Sequence, residues 1–428
     1  MKANTEDETI EESPCKYGIE SEMGTLEVQT HRVINEKGKV TYNTNTDFFS
    51  AVHAKERHRS SRFKELLYEF TSEVSFRKSE HYLNRIRQQE EGVKTTTLRN
   101  MVERDGNELR EHVEGMLRQV LTENGFSDDG TKGEHELVPE VDRRTVDEPA
   151  FLEAVQKLEI KHPVSISDFE NPEQSVDIAI DDVGVKRQSS SRPSEAEEKE
   201  KGGKKRKYAY QTVVHVSQSG KSFIFNAANQ TKAAIQLLGL LLYNGLLWGR
   251  QLVFYVDGEA SLYTIMSKYF GFLPMKFILD WYHVKKKVEQ RLSSGMTGYR
   301  VRNPFMEKLL PFIWSGDIDG AIALLKALPE KQIKNIEHIS KLIDYLDRNR
   351  GCIPCYAVRA ELGLCNSSNK GEKANDIAVS KRQKHNGMSW SKEGSLGLAS
   401  ISAAAHNQEL VNWAYHRRVD ISLRKRPA

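Results

Sequence analysis

The residues of this 428-residue chain with the most chemical potential are acids at the ends of apolar runs. Residues 252–256 and 277–279 are short apolar runs that end on Asp257 and Asp280, with an amphipathic stretch between them, the pattern of a strand, helix, strand unit. In open α/β sheets the carboxyl ends of strands are where catalytic groups collect. Two further acids are candidates to meet Asp257 there: Asp181 on an upstream alternating run and Glu372 at the start of a late helix. They lie 76 residues before and 115 residues after Asp257, so only folding can bring them together. Carboxylates from separate elements are what phosphodiester cleavage and strand transfer by two metal ions require. Magnesium takes few protein oxygens, keeps positions for water and phosphate, and a pair of ions ~3.5–4 Å apart clamps the attacking and leaving oxygens. Each acid also has an ordinary reading. Asp181 and Asp182 suit a solvated strand end, Asp257-Gly258 is a common turn pair, and Asn369 with Glu372 has the spacing of a capping box.

The elements that must position these acids follow in order from residue 176. Residues 176–185 alternate as a strand; 208–216 and 221–226 are β-rich runs around Ser217-Gln218-Ser219-Gly220, a hairpin signal; 232–247 reads as a buried helix. With the unit around Asp257 and Asp280, the order is strand, strand, strand, helix, strand, helix, strand, that of a ribonuclease H-like domain. The expected fold class is therefore α/β, a mixed sheet flanked by helices. Apolar stripes over 281–348 predict an all-α insertion, and a last helix over 373–384 carries Lys381, Arg382 and Lys384. The domain reading is a catalytic core over 175–290, a helical insertion over 291–365, and the core's C-terminal helix with a basic tail over 366–428.

Upstream, 1–60 shows no lasting period and reads as a disordered or loosely attached extension. Helical spacing begins at Arg62. A helix, a glycine-containing turn at Gly92 and a short helix with a stop at Asp105-Gly106 give a helix-turn-helix outline within 61–124. Thr95, Thr96, Arg99 and Asn100 are the expected reading side chains, with Leu98, Met101 and Val102 holding the helix; the alternative is a helical hairpin with a solvated face. Residues 125–174 read as a linker with a short helix near 150–158. The block 186–207 holds nine Lys/Arg against four Glu and ends in Lys204-Lys205-Arg206-Lys207. Such a run is a solvated loop or a sequence-blind phosphate contact.

The formal charge of +3 is close to neutral, so a nucleic-acid partner has to be argued from local clusters. No signal peptide is expected from the acidic N-terminus, and the longest apolar run, 233–248, is too short for a bilayer. Cys352 and Cys355 form a CxxC with Cys365 beyond. A zinc site lacks a nearby second tight pair, so reduced cysteines of a cytoplasmic protein are the simpler account.

Several stretches carry a family likeness: IDDVGVKRQ (180–188), KYAYQTVVHV (207–216), FYVDGEASL (254–262), ILDWYHVKKK (278–287) and the long run RNRGCIPCYAVRAELGLCNSSNKGEKANDIAVSKRQKHNGMSWS (348–391). Together they resemble the catalytic domain of DDE-type bacterial insertion-sequence transposases related to Mutator-like elements, and SFRKSEHYLNRI with TTTLRNMVERDG is similar to the helix-turn-helix of such proteins. The likeness implies a D-D-E triad falling on Asp181, Asp257 and Glu372, with Mg²⁺ as cofactor and Mn²⁺ able to substitute. It places an acid, two residues, histidine signature on Asp280 and His283, whose role is either at the DNA end or structural. Asp182 stands where relatives often have glycine, so either acid of that pair can ligate metal, and Asp181 is preferred. Lys204, Lys205, Arg206, Lys207, Arg382 and Lys384 are implied phosphate contacts. The implied partners are double-stranded DNA, at element ends and target, and at least one further copy of the chain, with no membrane and a nucleoid-associated cytoplasmic location in a bacterium. The alternatives are an inactive DNA-binding derivative and a ribonuclease H-like nuclease without strand transfer.

Overall fold

The computed structural model describes residues 9–35, 40–42, 58–89, 92–132, 145–188, 207–385 and 388–425. Its centre is a mixed six-stranded sheet flanked by helices. The strands are β5 (Ser175–Lys186), β6 (Tyr208–Gln218), β7 (Lys221–Ala227), β8 (Gln251–Val256), β9 (Met275–Leu279) and β10 (Arg424–Lys425), in the order β10-β7-β6-β5-β8-β9. β5, β6 and β7 meander antiparallel, whereas β5, β8 and β9 are parallel. The crossovers are α5 (Gln230–Tyr243), which is buried along Ala233, Leu237 and Leu241, and α6 (Ala260–Phe270). β5 and β6 remain paired to Lys186 and Tyr208, well past the end of β8, so they project as a two-stranded ribbon.

Before the sheet, α1 (Ser61–Glu73) and α2 (Phe76–Ile86) each start on a serine that accepts a backbone N–H, Ser60 from Phe63 and Ser75 from Lys78. α3 (Thr95–Glu123) then runs unbroken. The stop expected at Asp105-Gly106 does not occur. Gly106 is instead a crossing point, where a Cβ would lie 2.1 Å from the Gly397 carbonyl oxygen. Gly397 belongs to α13 (Lys392–His406), and α14 (Leu410–His416) follows it. The expected basic tail is thus mostly helix, and α13 lies buried from Gly394 to Ala404. α3 also packs on α5, where a Cβ on Gly239 would approach the Leu117 carbonyl oxygen to 2.9 Å. One apolar core accordingly extends from Phe63 to Leu423, without a break at 124.

Two further expectations change. Within 1–60, β1 (Thr9–Ser21) and β2 (Gly24–Asn35) form a long antiparallel hairpin, joined by β3 (Val40–Tyr42) and β4 (His58–Arg59) in a second sheet. The alternation of Leu26, Val28 and Thr30 is its sequence signal, diluted by charged neighbours. Within 125–174, α4 (Glu148–Lys157) packs a small core of Phe151, Ala154 and Phe169 against Val358 and Leu364, the former from α11 (Tyr356–Glu361). Its polar anchor is Arg359, fully buried, whose guanidinium donates to both Glu170 carboxylate oxygens at 2.6 and 2.7 Å. The insertion is helical as expected: α7 (Trp281–Gly295) leads into α8 (Tyr299–Ser315), α9 (Ile318–Lys326) and α10 (Ile336–Arg348). α12 (Asn369–Asn375) returns to the sheet and continues through a π-turn over Asp376–Ser380 to Gln383.

Candidate active site

The parallel pairing of β5 with β8 sets the site. Ala179 is opposite Tyr255, so Asp181 and Asp257, each two residues further on, leave neighbouring strands side by side. Pleating puts them on one face of the sheet and turns Asp182 to the other. Beyond Asp257 the chain turns at Gly258, whose φ of +92° is left-handed and suits glycine. The N–H of Glu259 donates back to the Asp257 carboxylate at 2.9 Å.

The third acid arrives on α12, which lies along β5. Lys370 donates to Asp177 at 3.2 Å, and Gly371 packs so tightly on Ala179 that a Cβ would come within 2.7 Å of that residue's methyl. Asn375 Nδ2 donates to Asp181 Oδ2 at 2.5 Å. Glu372, in the helix's first turn, pairs with His283 Nε2 at 3.5 Å rather than capping the helix. Two strand ends, of β5 and β8, and two helices, α7 and α12, therefore supply Asp181, Asp257, His283 and Glu372 to this corner.

Asp181 shows the electrostatic consequence. Although the residue keeps an open side, enclosure of its carboxyl, and next the Asp257 carboxylate, push it up to about 6, against the pull of His283. The neighbouring Asp257 carboxylate thus adds to the cost of ionising Asp181, which is the situation a bound cation relieves. Among the described residues, no three His, Cys, Asp or Glu side chains are drawn close enough to enclose a metal ion.

Asp280 has a structural duty. It is almost fully buried, caps α7 by accepting the His283 N–H at 3.0 Å, and also accepts the N–H of Ser368. Trp281 N–H donates to the Asn366 carbonyl at 3.1 Å beside it, so this corner fixes where α12 begins. The acid, two residues, histidine spacing thus holds α12 with its first member and faces Glu372 with its last. Asp182, on the opposite face, accepts from Thr212 at 2.5 Å and Gln230 at 3.0 Å.

Arg382 departs from expectation. It is 3% exposed, donates to the Thr71 carbonyl at 2.8 Å, and its guanidinium lies 4.9 Å from the Phe76 ring centroid and 5.5 Å from that of Trp390. It is a strut between α12 and the N-terminal helices and has no surface to offer a phosphate. Lys384 and Lys207 are exposed, whereas Lys204, Lys205 and Arg206 lie outside the described residues. In α3, Thr96, Arg99 and Asn100 are exposed and Leu98, Met101 and Val102 buried. Thr95 is engaged differently, its N–H and hydroxyl both donating to the Glu80 carboxylate, which neutralises the start of α3.

Asn375 and Tyr345 were not among the expected site residues. Asn375 had one available signal, its three-residue spacing from Glu372 on a helix. Tyr345, on α10, brings its hydroxyl to 3.6 Å from the position of a Cβ on Gly258, and burial, then Asp257 and Asp280, push that hydroxyl up. Only the packing of the insertion reveals it.

A model of the uncharacterised protein family UPF0236 matches residues 252–417. The matched stretch includes Asp257, Asp280, His283, Tyr345, Glu372 and Asn375; β5 with Asp181 precedes it. No curated protein matches the chain. Among the described residues, no helix is long and apolar enough to cross a membrane. Cys352, Cys355 and Cys365 are free thiols, and Cys365 donates to the Ser367 carbonyl at 3.2 Å.

Proposed function

We propose that the chain is a DDE-type transposase that cuts DNA at the ends of a mobile element and joins them to a target. The observation that carries this is the placement of Asp181 and Asp257 at neighbouring parallel strand ends, with Glu372 brought to the same face by α12. Three antiparallel strands followed by two parallel ones, with helical crossovers, accord with a ribonuclease H-like core. The donor set is entirely carboxylate, the chemistry Mg²⁺ prefers and Mn²⁺ tolerates, and the raised proton affinity of Asp181 marks surplus negative charge at that point. When bound, such ions polarise the phosphate and lower the pKa of an attacking water or 3′-hydroxyl. Asp181 and Asp257 supply ligands from the rigid sheet, Glu372 supplies one from a helix, and Asn375 keeps the Asp181 carboxylate oriented.

α2, the turn after it and α3 form the helix-turn-helix of this reading, with Thr96, Arg99 and Asn100 facing base edges and Lys207 and Lys384 meeting phosphates. The enzyme works as a homodimer or larger assembly on double-stranded DNA, in the cytoplasm at the nucleoid. The test incubates protein, Mg²⁺ and a duplex carrying the DNA that flanks its own gene. Nicked ends and joined products are expected from the wild type. Asp257→Asn and Glu372→Gln should fall below roughly a thousandth of that rate while binding the duplex as before. Cleavage retained by both variants would overturn the assignment; cut ends without joined products would make the protein a nuclease.

A further inference from the structure

The other face of the projecting β5–β6 ribbon carries a cleft of about 760 Å³ that the triad does not use. Its wall is Tyr208 and Tyr210, successive residues on one face of β6, 49% and 58% exposed, with ring centroids 6.2 Å apart. Two adjacent open rings make an exposed aromatic patch of the kind that marks a binding surface. Tyr210 lies over Gly184 so closely that a Cβ there would come to 2.8 Å of the ring, so glycine keeps the ring flat on the ribbon. The opposite wall is the start of α5, where Gln230, its amide nitrogen donating to Asp182 and Glu259, leaves its amide oxygen for a ligand, and Arg187 and Lys392 also line the cleft. Aromatic faces, an amide oxygen and two cations are the combination that holds an unpaired nucleotide: a ring stacks on the base, the amide oxygen accepts from its amino edge, and the cations meet the phosphate. The position is decisive. Asp182 and Glu259 line the cleft, one adjoining Asp181 in the strand and the other two residues past Asp257, so the cleft lies next to the two strand-end acids.

We propose that this cleft receives an unpaired nucleotide of the strand next to the scissile phosphate, its base stacked on one of the two tilted rings of Tyr208 and Tyr210 and edge-on to the other; this rests on the DNA-cleavage reading above. The negative charge of Asp182 and Glu259 in the lining disfavours a phosphate beside them and favours the amino edge of a base there.

Binding in chelator, without cleavage, tests this by fluorescence anisotropy of a short labelled single strand and of the matching duplex. The full-length wild type should bind both. The Tyr208→Ala, Tyr210→Ala double variant should lose about tenfold or more on the single strand and less than about twofold on the duplex. The Tyr208→Phe, Tyr210→Phe variant, which keeps the faces and drops the hydroxyls, should bind as wild type, and the single Tyr208→Ala variant should show a partial loss. An unchanged single-strand affinity in the alanine variants, or an equal loss on both DNAs, would overturn the cleft assignment while leaving the triad untouched. Failure of the wild type to bind either DNA would remove this proposal together with the reading beneath it.

Discussion

At Asp181 the cost of assembling an anionic site is visible in a single residue. Its carboxyl is raised to about 6 by enclosure and by Asp257, so at neutral pH the metal-free protein holds a charge it would rather shed. Asp181→Asn should therefore raise the melting temperature in chelator, by the equivalent of about 1 kcal/mol, while abolishing cleavage. Added Mg²⁺ should raise the melting temperature of the wild type and leave this variant nearly unmoved, because a ligand stabilises only the state that binds it. Differential scanning fluorimetry with and without the ion reads both effects. Arg382 and Lys384 differ just as clearly. Removing Arg382 orphans the Thr71 carbonyl and opens a gap between Phe76 and Trp390, so Arg382→Ala should cost about 2–3 kcal/mol of stability in urea titrations. Lys384→Ala should spare stability and shallow the salt dependence of DNA binding by about one unit.

Among the elements, α3 and α13 cross where two glycines meet. Helix propensity alone predicts that Gly106→Ala stabilises α3 by about 1 kcal/mol. The methyl, however, would sit 2.1 Å from a backbone oxygen that has no rotamer to yield. Overpacking of about 1–3 kcal/mol or more should win, giving a net loss of stability by chemical denaturation. α12 uses the same device on a smaller scale, with Gly371 against Ala179, and there close approach is what brings Asn375 onto Asp181 and Glu372 over the same face. Asp280 sets the start of that helix from the far side of the insertion, so the insertion and the triad share an anchor.

Over the whole molecule, the segment between the N-terminal helices and the sheet is tied down by Glu170 and Arg359. Burial by itself would push the Glu170 carboxyl up; Arg359, bonded to both its oxygens, together with a backbone N–H and Lys276, outweighs this and holds it below its ordinary value. The folded state thus binds that proton less readily than the unfolded chain. The pair's contribution is complete above the ordinary glutamate range near 4.3 and is lost as pH falls below it through the folded value. Glu170→Gln strands a buried guanidinium and should cost about 3 kcal/mol at neutral pH. Its stability should decline less steeply than that of the wild type below pH ~4, as followed by circular dichroism melts.

Element types and the acids were legible from local pattern. The alternating, β-rich and apolar runs end near where β5 to β9 end, and Asp257, Asp280 and Glu372 could be placed at strand and helix ends, because those signals lie within a few residues of chain. The long-range outcomes were not legible. The same glycine that reads as a helix stop becomes a crossing when α13 arrives from nearly 300 residues away, and the same arginine that reads as a phosphate contact becomes a strut when Phe76 and Trp390 close on it. The sequence by itself determined which residues can be strands, helices and ligands. The tertiary structure alone decided which of them meet, because the β5–β8 register and the approach of α12 depend on packing between segments that share no local period.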